Sequence, residues 1–150
     1  MILKGIRNQQ IEFQILGYEL PENFGPSYES NFLYLNLNIE SEFGNWQTDS
    51  CALSTTDVEK IIDWFYNLAQ NTITKPQLCF KDKGISFKRI KKNTRVTNVR
   101  IHFHSECTPD NSETGKPYYV DLELNNLQLI EVSENFQTEL NPFPSRGFEE

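Results

Sequence analysis

Asn31-Phe32-Leu33-Tyr34-Leu35-Asn36-Leu37-Asn38-Ile39 alternates without interruption. Leu33, Leu35, Leu37 and Ile39 fall on one side, and Phe32, Tyr34, Asn36 and Asn38 on the other. That is the period of a strand with one buried and one wet face. Upstream, Ile11-Glu12-Phe13-Gln14-Ile15 repeats the alternation, after a short strand from Ile2 to Ile6 and a turn at Asn8. Pro21, Asn23, Gly25 and Pro26 mark a loop between the two long strands. Downstream, Gly44-Asn45 turns the chain into a partner strand from Trp46 to Leu53.

A helix follows. Thr56-Asp57-Val58-Glu59 fits a capping box, with Ser54 or Thr55 as alternative caps. Val58, Ile61, Ile62, Phe65, Leu68 and Ala69 then recur at helical spacing, with Trp64 at the edge of the stripe. Asn71 and Pro76 bound its end. Leu78 and Phe80 open a hairpin, Lys83-Gly84 turns it, and Ile85 and Phe87 continue its apolar face. Val99, Ile101 and Phe103 alternate with Arg100, His102 and His104. A loop spans Pro109 to Pro117, and Tyr118, Val120, Leu122 and Leu124 form the last strand. After Asn125 or Asn126, Leu129, Val132, Phe136 and Leu140 fit a second helix that Pro142 and Pro144 end. The tail from Arg146 is expected to fray. The order predicts a single α+β domain over residues 1–150, a mainly antiparallel sheet of about seven or eight strands with two helices packed on it.

The 150 residues suffice for one sizeable core, and 11 Phe, 6 Tyr and 2 Trp argue against disorder. No apolar run reaches membrane-spanning length, and Met1-Ile2-Leu3-Lys4-Gly5 lacks the pattern of a signal peptide, so a cytoplasmic location is expected. Cys51, Cys79 and Cys107 are odd in number and widely spaced, which predicts three reduced thiols.

The net charge of −7 is unevenly spread. Residues 8–59 hold nine acidic side chains and no Lys or Arg. Residues 75–100 hold nine Lys and Arg against Asp82 alone, and from 101 onward only Lys116 and Arg146 are positive. Opposite charges can pair across neighbouring strands, with Asp121 and Glu123 facing Arg100 and the histidines. Alternatively, an acidic face is left over and attracts a basic partner. The two readings coexist, because the excess acid stays unpaired somewhere.

No motif declares a reaction. GxSxG, P-loop and GxGxxG patterns are missing from the sequence. His102 and His104 share a strand face but lack further ligands at metal spacing, and strand alternation already explains them. Cys107 with His104 is a conceivable nucleophile pair without a supporting motif. Cys51 and Cys79 are read as core or sheet residues. Lys88-Arg89-Ile90-Lys91-Lys92 could grip phosphate, but stacking aromatics are sparse there and the chain is acidic overall. Catalytic residues, metal and cofactor are therefore expected to be none, and neither nucleic acid nor membrane is an expected partner.

Several features in order resemble the WapI family of bacterial immunity proteins. These are Ile15-Leu16-Gly17-Tyr18-Glu19, Ser30-Asn31-Phe32-Leu33, Gly44-x-Trp46, and Leu53 leading into Ile62-Asp63-Trp64-Phe65. Later come Leu78-x-Phe80, Ile85-Ser86-Phe87, Tyr119-Val120 and Phe143-Pro144-x-Arg146. The loop at 107–117 and the basic run at 88–92 depart from the family pattern. The resemblance implies a non-enzymatic cytoplasmic antidote to a secreted polymorphic toxin, often a nuclease, bound through the toxin's C-terminal domain. Nuclease domains tend to be basic because they hold phosphate, so an acidic inhibitor associates quickly. Candidate contact residues are Glu19, Glu22, Glu29, Glu40, Glu42 and Asp49, with Tyr28 and Tyr34 as possible aromatic anchors. Core packing is the preferred reading of Tyr34. The alternative is a small enzyme or ligand-binding domain with a pocket in the sheet.

Overall fold

The computed structural model describes residues 1–20, 28–72, 75–81 and 84–146. The loop expected at Pro21 to Pro26 and the turn residue Lys83 lie outside them.

Among the described residues nine strands and two α-helices form in the order β1 (Ile2–Lys4), β2 (Gln10–Tyr18), β3 (Phe32–Ser41), β4 (Gly44–Thr48), β5 (Ala52–Ser54), α1 (Thr55–Ala69), β6 (Gln77–Leu78), β7 (Ile85–Lys92), β8 (Val96–Phe103), β9 (Tyr118–Asn125) and α2 (Asn126–Leu140). All strand pairing is antiparallel, as the alternation predicts, but the strands divide into two sheets. The first runs β1-β2-β3-β4, with β5 also on β3, and the second runs β6-β7-β8-β9. The expected Trp46–Leu53 strand is two strands. The chain leaves the sheet between them, where the Thr48 hydroxyl accepts from the Ser50 N–H and Cys51 turns to meet Cys107.

Each sheet buries one face. Leu33, Leu35, Leu37 and Ile39 of β3 are buried, as are Val99, Ile101 and Phe103 of β8 and Val120, Leu122 and Leu124 of β9. The helices close these faces into one core. Phe136 of α2 meets Phe13 of the first sheet edge-on and lies parallel to Phe65 of α1, which in turn meets Phe87 of the second sheet. The Ser133 hydroxyl ties the helices by donating to the Ile62 carbonyl at 2.8 Å.

Both helices start on capping boxes. For α1 the cap is Ser54 with Asp57, not Thr56 with Glu59. Ser54 and Asp57 are buried, whereas Thr56 and Glu59 are exposed, so the box forms where the strand delivers the chain into the core. For α2 the cap is Asn125 with Gln128. Asn71 takes a left-handed φ of 55° just past α1, a conformation asparagine tolerates at a helix end.

Two seams join the sheets. At one, the Ile6 N–H donates to the Asp121 carbonyl at 3.0 Å and the Gln9 side chain accepts from the Asp121 N–H at 3.2 Å. At the other, the Trp46 indole donates to the Cys107 carbonyl at 2.9 Å, and its ring meets Phe103 and Tyr118 edge-on. There a disulfide joins Cys51 to Cys107, which corrects the expectation of three reduced thiols. Separation of 56 residues hid the pairing, which only the approach of the two sheets creates. Cys79 is free and exposed, not a core residue. Arg146 is anchored rather than frayed. Its N–H donates to Asn31, its guanidinium to the Leu20 carbonyl, and its cation sits 3.5 Å from the Tyr18 ring centroid.

Candidate partner-binding surface

Among the described residues, each sheet keeps an outer face turned away from the core. On the first sheet, alternation puts Gln10, Glu12, Gln14 and Leu16 of β2 beside Tyr34, Asn36, Asn38 and Glu40 of β3, then Asn45 and Gln47 of β4. This face is rich in amides, and Lys4 on β1 is its one basic strand residue. Tyr34 is 40 % exposed, so the core-packing reading of this residue is wrong. Its hydroxyl donates to the Asp49 carboxylate at 3.0 Å. That hydrogen bond, the Asp49 charge and then nearby Glu19 hold the phenol above its ordinary pKa.

The candidate contact residues thus divide. Glu19, Tyr34 and Asp49 gather at one end of the face. Glu40 lies six residues further along β3, about 20 Å away at strand rise, beside the turn that carries Glu42. Arg7 pairs with Glu42 at 2.7 Å. Glu29 is exposed in a short 3-10 turn, Tyr28–Asn31. Glu22 and the Tyr28 side chain lie outside the described residues.

The outer face of the second sheet carries the opposite balance. Register places Lys88, Arg100 and Asp121 in one row, and Ser86, His102 and Tyr119 in the next. Arg100 grips Asp121 through two bonds of 2.7 and 3.0 Å while covering the Tyr119 ring at 3.8 Å. This is the cross-strand pairing read from the sequence, and it raises the Arg100 pKa further. Lys88 and Lys91 form no ion pair among the described residues. Lys92 is drawn inward, where its ammonium donates to the Leu68 carbonyl at 2.6 Å. Burial, then Arg89, lowers its pKa.

Chemistry is thin. Ser86 and His104 lie 3.2 Å apart in an open depression of about 450 Å³, bordered by Cys79 and Phe80. Among the described residues no carboxylate lines it to orient the imidazole, as a nucleophile–base pair needs. His102 and His104 stack at 5.7 Å, but no group of three metal-ligating side chains gathers among the described residues. Cys107 is held in the disulfide and cannot serve as a thiolate beside His104. No helix among the described residues is long and apolar enough to cross a membrane.

The model of the WapI-like immunity protein family matches residues 1–144. The chain belongs to that family. A search of curated proteins returned no match. Most quoted motifs of the WapI-like resemblance serve the frame, because Leu33, Leu53, Trp64, Phe65 and Phe87 are all buried. Sequence reading missed both seams, because each depends on contacts between distant segments.

Proposed function

We propose that this WapI-like chain is a non-enzymatic cytoplasmic antidote that binds the C-terminal domain of a secreted polymorphic toxin and covers its active site. The family match over nearly the whole chain carries this reading. The outer face of the first sheet supports it further, offering a broad amide-rich surface with acidic groups at both ends. Glu19, Glu29, Glu40, Glu42 and Asp49 would draw in a basic domain, and Tyr34 would give it an aromatic contact at one end.

The decisive experiment induces the toxin domain encoded beside this gene in a host with and without the chain. Rescue with a co-purifying complex is the expected result, and toxicity unchanged by the chain would end the immunity reading. Replacing Glu19, Glu29 and Glu40 with Lys should slow association by about tenfold at low salt and flatten its salt dependence. Association kinetics equal to those of the parent chain would reject this face as the interface.

A further inference from the structure

Strands β1 and β9 are the facing edges of the two sheets. Among the described residues β1 pairs only with β2, and β9 only with β8. They meet at Asp121, where a Cβ on Gly5 would lie 2.4 Å from the Asp121 carbonyl oxygen, so glycine alone permits the approach. Beyond that contact no main-chain bond joins Ile2–Lys4 to Leu122–Asn125. A groove of about 260 Å³ opens there, floored by Leu3, Leu122, Leu124 and Val132 and rimmed by Lys4 and Glu131.

In an antiparallel ladder alternate residues direct both main-chain groups to the same side. Met1 exchanges both bonds with Phe13, and the Gly5 N–H donates to the Gln9 carbonyl, so Met1, Leu3 and Gly5 face β2. Ile2 and Lys4 therefore direct N–H and C=O outward. On β9 the Asp121 groups already point out to Ile6 and Gln9, so those of Glu123 do too. Among the described residues, Ile2, Lys4 and Glu123 thus present unpaired main-chain groups across an apolar floor. Such an edge is a template for an added strand. Its lip is acidic. No Lys or Arg occurs between Lys116 and Arg146, and Glu123 and Glu131 form no ion pair among the described residues.

We infer that this groove takes an extended, basic segment of the toxin by strand addition, with alternate apolar side chains on its floor and Lys or Arg against Glu123 and Glu131. The inference rests on the immunity reading for the partner's identity. Proline is tolerated on an edge strand where its missing N–H faces away from the ladder, so Lys4→Pro should spare β1–β2 pairing.

The test measures binding of the toxin domain encoded beside this gene to the full chain, to Lys4→Pro and to Lys4→Ala. Lys4→Pro should weaken affinity by at least about tenfold and Lys4→Ala by no more than about threefold. Hydrogen exchange on the unsubstituted chain serves as a second measurement that needs no substitution. The Lys4 and Glu123 amides should slow by roughly a hundredfold in the complex. Equal binding by Lys4→Pro, equal losses in both variants, or unprotected amides would overturn the inference and leave the immunity reading standing. A dimer of the unsubstituted chain that Lys4→Pro dissociates would overturn it in favour of a second copy. No binding by the unsubstituted chain would overturn both.

Discussion

His102 sits half-buried on the outer face of the second sheet, facing His104, Arg100, Lys88 and Asp121. Burial comes first in lowering its pKa, followed by the positive neighbours, against a smaller opposing effect of Asp121. The unfolded chain takes up this proton near the ordinary histidine pKa of about 6.5, and the folded chain only at lower pH. Stability is therefore lost as pH falls through that window. Melting curves should show a drop in Tm between about pH 7 and 5 that His102→Asn makes smaller. An identical drop in the variant would refute the assignment. Tyr34 teaches a different lesson at this scale. Alternation placed it on the wet side of β3, yet its aromatic ring suggested core, and the pattern proved the better guide.

At the scale of elements, the hydrophobic period was legible throughout. β2, β3, β8, β9, α1 and α2 lie where alternation or helical spacing puts them, because each buries one face and only one. The α1 boundary was less legible. Two overlapping boxes, Ser54 with Asp57 and Thr56 with Glu59, share the same local chemistry, and tertiary burial chose the first. Ser54→Ala should therefore cost about 1 kcal/mol, and Thr56→Ala much less. Chemical denaturation of both variants measures the difference, and equal losses would contradict the observed cap. Strand continuity was also out of reach, since the break between β4 and β5 depends on Cys51 reaching across to the second sheet.

The whole molecule is where sequence reading stopped. Alternation says which face of a strand is buried, but not which strands share an edge, so one sheet was expected and two formed. The acidic candidate residues were scattered in sequence, and the fold sets Glu19 and Asp49 at one end of a face and Glu40 and Glu42 at the other. The groove between β1 and β9 left no local signal, since it arises from the outward main-chain groups of two strands more than 110 residues apart. The Cys51–Cys107 bridge ties the sheets together across 56 residues. On the chain-entropy account, its reduction should remove up to about 4 kcal/mol and lower Tm by roughly 10 °C. Melts with and without reductant test this, and matching curves would show that the seam holds without the bridge.

Trp46 gives that seam an optical readout. Its indole is bonded to the main chain of Cys107, while the second indole, Trp64, is buried against Phe65 and Phe87 and donates to the Lys75 carbonyl. Disulfide sulfur quenches excited indole by accepting an electron at close range, and water reaching an indole ring shifts its emission to longer wavelength. Cutting the bridge and parting the sheets therefore leave different marks on the same fluorophore, brightening in one case and a red shift in the other, so bridge and seam can be followed separately without a label.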